Sequence, residues 1–183
     1  IWGSGSQWPP AVCDLEPREA RRWRAVPSDP GLRERFLFER VPSYCSIAPD
    51  SPAYRWTRSY TLDELSEWIN RRYPVGRLKR VSPKTTTPEG WVTSVEIEGE
   101  SGTREVKRDA IRTALMNIRS NFFAVENLPA DDRTPAEVVF IGAGWGHGAG
   151  ICQDGMLGLA KAGESYRRIL AHYFPGAKLV KMY

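Results

Sequence analysis

From Gly142 to Gly150 every second residue is glycine, with Ala143, Trp145, His147 and Ala149 between them. Glycine reaches backbone conformations and close approaches that a Cβ forbids. A run of this density interrupts any helix or regular strand, so it sets a loop at this point and makes its flanks separate elements. Glu137 to Ile141 before it reads as a buried strand, and Gln153 to Ala162 after it as a helix, followed by a break at Gly163.

The rest of the chain is organised around that loop. Thr61 and Glu64 have the spacing of a capping box, and Leu62, Leu65, Ile69 and Tyr73 recur on one helical face until Pro74 and Gly76. Trp91 to Glu98 alternates, and the Gly99 to Gly102 turn leads into a partner strand at Thr103 to Lys107, which predicts a hairpin. Asp109 to Met116 reads as a short helix and Asn121 to Glu126 as a strand. A second amphipathic helix starts at Ser165 with Tyr166, Ile169, Leu170 and Tyr173 on one face, stops at Pro175-Gly176, and leaves Lys178 to Tyr183 to return as a strand. Residues 1–58, rich in Pro, Trp and Arg, show little periodicity and read as irregular. Without regular strand-helix alternation, the pattern predicts an α+β fold of mixed short strands and helices around the glycine-rich loop.

Composition narrows the function classes. With 183 residues, 41% of them hydrophobic, the chain is expected to form one domain over 1–183, with two small ones as the alternative, and its apolar runs are far too short for a membrane span. It opens on Ile1 and a turn-rich stretch, and is expected to be the C-terminal portion of a larger domain. The net charge of +4 comes from basic residues scattered along the chain, where a nucleic-acid footprint would be dense, so no nucleic-acid partner is expected. Three cysteines, at 13, 45 and 152, are too few for a disulfide scaffold and cannot all pair with one another.

Gly144, Gly146 and Ala149 satisfy the dinucleotide fingerprint between a strand and a helix. Too little chain follows for two βαβ halves, and Trp145 and His147 occupy the turn where a phosphate would sit. The alternation instead presents an indole beside an imidazole. Trp145 offers a flat apolar face with one donor, and His147 exchanges a proton near neutral pH, a pairing suited to a carbohydrate. The alternative is that both are buried, with His147 bonded to backbone. His172, near a helix end, reads as a capping or packing residue.

The run Gly-Trp-Gly-His-Gly, then Ala149-Gly150-Ile151-Cys152-Gln153, a helix of small residues, Gly163, and Ile169-Leu170-Ala171-His172-Tyr173-Phe174-Pro175-Gly176-Ala177 resembles the C-terminal signature of the stage II sporulation protein D and amidase-enhancer family. Arg119-Ser120-Asn121-Phe122 and the Trp56 to Ile69 passage are similar to it as well, so the family-like core runs over 40–183 and residues 1–39 match loosely. The resemblance implies a bacterial, extracytoplasmic cell-envelope protein acting on peptidoglycan glycan strands. Some relatives are lytic transglycosylases that leave 1,6-anhydromuramic ends, and others enhance an amidase. It implies Gly144, Trp145, Gly146, His147, Gly148, Gln153, Arg119 and Ser120 as substrate-binding residues, with His147 also supporting catalysis.

The family's catalytic Glu follows a Gly in an N-terminal motif. Here Gly99-Glu100 falls in a hairpin turn and Gly163-Glu164 inside the C-terminal signature, so the acid is expected upstream of this chain. Glu39, after Phe36-Leu37-Phe38, is the best local substitute because apolar neighbours raise a carboxyl's pKa, with a surface or salt-bridged Glu as the alternative. Cys152 stands where many relatives have serine. It joins His147 and Cys45, or alternatively Cys13, as a candidate zinc set, while a buried thiol or a Cys45 to Cys152 disulfide are the other options.

Overall fold

The computed structural model describes residues 29–39, 41–47, 54–87, 90–134, 136–146, 150–174 and 176–180. Strands and helices are mixed, and the fold is α+β as the sequence predicts. Two antiparallel three-stranded sheets carry it. The first contains β1 (Trp56–Thr61), β5 (Phe123–Leu128) and β6 (Glu137–Gly142), with β6 in the centre. The second contains β2 (Leu78–Thr86), β3 (Val92–Gly99) and β4 (Gly102–Lys107), with β3 in the centre. Asn127 joins them: its carboxamide donates to the Val81 carbonyl at 2.9 Å and accepts from the Val81 N–H at 3.0 Å, bonding β2 to β5 as a strand would.

β6 is buried on both faces because it has a neighbour on each edge and packing on each side. Val138 and Phe140 enter the main core with Leu65, Ile69, Val81, Val95, Ile97, Ile111 and Leu115. Ile141 and Ala143 turn the other way, onto a second cluster with Phe36, Leu37, Val41, Trp91 and Phe122. Phe36 and Leu37 come from α1 (Pro30–Phe38), which lies in the stretch expected to be irregular. That expectation is corrected. Asp29 caps the helix, its carboxylate accepting from the Leu32 N–H at 3.0 Å, and Pro30 occupies the first turn, where its missing N–H costs nothing.

The capping box is present at α2 (Leu62–Asn70): the Thr61 hydroxyl accepts from the Glu64 N–H, and the Glu64 carboxylate accepts from the Thr61 N–H. The helix ends before Tyr73 because the Asn70 side chain accepts from the N–H groups of Val75 and Gly76, both at 2.9 Å, and folds the chain back. β2 was not foreseen. It is an edge strand with register shifts around Pro83, and an edge is where a strand proline is tolerated. α3 is shorter than expected, Ala110–Ala114, because Met116 and Asn117 take left-handed conformations, with φ of 55° and 58°. The strand expected from Asn121 begins two residues later, at Phe123.

The chain closes with α4 (Gln153–Lys161) and α5 (Tyr166–Tyr173). Leu159, Ile169 and Tyr173 form a third small cluster, against which Tyr44 and Cys152 pack. Tyr44 belongs to a 3-10 turn, Tyr44–Ile47, lying against α4. Lys178 to Val180 form no strand and are exposed, correcting that expectation. Residues 181–183 lie outside the described residues. No helix among the described residues is long and apolar enough to cross a membrane.

Candidate functional site

The glycine-rich loop leaves the end of β6 and runs beside the segment Arg119–Phe122 that leads into β5. The Ala143 N–H donates to the Phe122 carbonyl at 3.0 Å and the Gly146 N–H to the Arg119 carbonyl at 2.7 Å. Ser120 lies beneath, fully buried, its hydroxyl donating to the Ala143 carbonyl at 2.6 Å. Trp56 holds the loop from β1, its indole N–H donating to the Gly144 carbonyl at 3.0 Å. Gly142 makes that approach possible, since a Cβ there would overlap the Trp56 ring. Gly144 and Gly146, with φ of +81° and +99°, need glycine for conformation, and a Cβ at either would meet nothing within 4 Å among the described residues.

These bonds fix the backbone on both sides of Trp145, whose side chain is 66% exposed. The Arg119 guanidinium sits 4.6 Å from the centre of its ring, a cation–π stack. The buried Nε–H of Arg119 has no hydrogen-bond partner among the described residues. The loop therefore presents an indole, stiffened from beneath and stacked by a cation. Such a surface suits a ligand with an apolar face and oxygen acceptors at its rim.

Of the residues expected at the site, the structure brings Gly144, Trp145, Gly146, Arg119 and Ser120 together. Ser120 cannot face a ligand from its buried position. It positions the loop instead. Gln153 is exposed in the first turn of α4. His147 and Gly148 lie outside the described residues, as does Cys13. The sulfurs of Cys45 and Cys152 are 3.4 Å apart, and no group of three His, Cys, Asp or Glu suited to a metal ion occurs among the described residues.

Two of the three carboxylates weighed as acids are held in ion pairs. Glu39 caps the end of α1 and pairs with Arg35 at 2.8 Å. Glu164 pairs with Arg168 at 3.3 Å, and Glu100 is exposed in the β3–β4 turn, where its N–H donates to the Arg77 carbonyl. The titrating pair Lys84 and Glu105 belongs to the second sheet. Their mutual hydrogen bond raises the lysine's pKa and lowers the carboxylate's. Trp56 is the site residue that sequence reasoning missed. A buried tryptophan facing a glycine is a tertiary pairing with no local signature.

Fold and site together define an α+β domain that displays a stacked tryptophan on a glycine loop. Residues 37–150 match the model of a family described as a domain of unknown function, DUF8618, and the chain belongs to that family. The match takes in β1 to β6 and the loop and ends before α4. The chain is also 25% identical, over 126 residues, to a protein of Brachyspira hyodysenteriae (strain ATCC 49526 / WA1) described as uncharacterized. That similarity covers 68% of this chain and 32% of the relative, so the chain spans about a third of the relative's length.

Proposed function

We propose that the loop from Gly142 to Gly150 is the glycan-binding wall of a peptidoglycan-active protein of the stage II sporulation protein D and amidase-enhancer type. The observation that carries this reading is Trp145, two-thirds exposed (66%), with the Arg119 guanidinium stacked on it. The apolar face of a sugar ring packs on an indole, and the arginine donates to ring substituents, including the lactyl carboxylate of a muramic residue. The glycine signature supplies the further resemblance to that family.

In the reaction this reading implies, a carboxylic acid protonates the glycosidic oxygen as its bond to the muramic anomeric carbon breaks. The same group then takes the proton of the C6 hydroxyl, which closes onto that carbon as a 1,6-anhydro ring. Trp145 and Arg119 orient the sugar, and the acid is a Glu upstream of this chain. His147 is placed by the reading next to the sugar as a proton-bearing partner. The setting implied is the extracytoplasmic envelope of a bacterium.

The test uses peptide-free glycan strands. Co-sedimentation with the protein is expected, with affinity falling about tenfold or more in Trp145→Ala, since base or ring stacking on an indole contributes about 1–3 kcal/mol. Mass spectrometry then reads the strand ends for 1,6-anhydromuramic acid. Unchanged binding by Trp145→Ala would overturn the proposal. A second reading is a non-catalytic module that binds glycan or activates an amidase; the ion pairs of Glu39 and Glu164 fit both readings. The module is distinguished by binding that depends on Trp145 without anhydro ends from a longer protein that includes the upstream acid.

A further inference from the structure

We propose that Cys45 and Cys152 are a dithiol that closes to a disulfide and pins α4 to the body of the fold. The two residues are 107 apart in sequence, yet their sulfurs lie 3.4 Å from each other. A disulfide bond is about 2.05 Å, so the two sulfurs have about 1.4 Å left to close. The backbones are already seated: a Cβ on Gly158 would lie 2.7 Å from the Tyr44 carbonyl carbon, so α4 meets the Tyr44–Ile47 turn at a distance that only glycine allows. Both cysteines are half-buried, which leaves them open to exchange reagents.

The two sulfurs differ in setting. Cys152 caps α4, and its sulfur accepts from the Gly155 N–H at 3.4 Å. Backbone N–H groups at a helix start favour the thiolate, which makes Cys152 the attacking group. Its thiolate displaces one thiol from an external disulfide, either glutathione disulfide or that of a protein thiol oxidase, and forms a mixed disulfide. The Cys45 thiolate then attacks the Cys152 sulfur and releases the second thiol. Two S–H bonds are lost, one S–S bond forms, and two electrons and two protons leave on the two thiols released.

The consequence is local. α4 and α5 pack on one another and, through Tyr44 and Cys152, on the Tyr44–Ile47 turn, with Leu159, Ile169 and Tyr173 as their small core. This pair of helices follows the loop directly, so a bond at Cys152 anchors the loop's far side as the Gly146 to Arg119 hydrogen bond anchors its near side. The chemistry of the thiol pair is independent of what the loop binds.

The full chain is equilibrated in glutathione redox buffers, quenched with acid and alkylated, and mapped by non-reducing peptide mass spectrometry. The expected product is a linked Cys45–Cys152 peptide, with a rise of at least about 5 °C in Tm that dithiothreitol reverses. Cys45→Ser and Cys152→Ser should each abolish both effects, and Cys13→Ser neither. Three results would each overturn the proposal: a linkage through Cys13, oxidation without a change in Tm, or stoichiometric zinc that protects both thiols from alkylation.

Discussion

Gly142→Ala tests whether the approach of Trp56 to β6 sets both the stability of the first sheet and the base of the loop. The new Cβ would lie 2.7 Å from Cη2 of the indole and closer still to Cε2 and Cζ2, where ordinary contact begins near 3.4 Å. Neither side can yield cheaply. Trp56 is in the main core with its N–H bonded to Gly144, and β6 is paired along both edges. Overpacking of this kind costs about 1–3 kcal/mol, and losing the indole hydrogen bond adds about 1 kcal/mol. Gly142 does not have a positive φ, so alanine returns about 0.4–1 kcal/mol by restricting the unfolded chain. The net cost is about 1–3.6 kcal/mol with a central value of about 2.3, or roughly 5–9 °C in Tm for a domain of this size. Urea unfolding followed by far-ultraviolet circular dichroism measures it without interference from the seven tryptophans. The decisive comparison is with Trp56→Phe, whose smaller ring makes room for the new methyl. In that background Gly142→Ala should cost less than about 1 kcal/mol, giving a coupling of at least about 1 kcal/mol. Equal costs in the two backgrounds would refute the reasoning.

Ser120→Ala removes the hydroxyl between the Phe122 N–H and the Ala143 carbonyl, and should cost about 1–3 kcal/mol while speeding hydrogen exchange at the Gly146 amide. A change below about 0.5 kcal/mol with unaltered exchange would mean that the loop is held without it. Glu64 has its pKa lowered by the Thr61 backbone N–H and then by the Thr61 hydroxyl. A depressed carboxylate stabilises the fold above its unfolded value, here 4.5, and that contribution is lost as the pH falls through the folded value. Glu64→Gln keeps a side-chain acceptor for the capping box but cannot ionise, so its stability deficit should be greatest at neutral pH and vanish in acid. A deficit independent of pH would exclude the charge as its source.

Elements specified within a few residues were legible before folding: the Thr61–Glu64 capping box, the β3–β4 hairpin around Gly99 to Gly102, α4, α5 and the glycine loop itself. Trp145 was also legible, as an aromatic residue between glycines. α1 had a readable signal in Asp29-Pro30, which the irregular composition around it obscured. The β1 and β2 strands carried almost none. β1 alternates weakly and is mostly polar, and it becomes a strand because β6, far along the chain, offers it a row of backbone partners.

The same division runs through the site. Glycine at 144 and 146 determines the loop's path, because left-handed backbone is a local property that other side chains resist. Which surface that loop presents was decided by contacts between distant residues: Trp56 beneath Gly142, Ser120 buried under Ala143, Arg119 stacked on Trp145, and Cys45 beside Cys152. Sequence specifies short-range torsions and periodicities through interactions within a few residues. Burial and proximity across many residues arise when the sheets pair, and they assigned Ser120 to support and Trp145 to the surface.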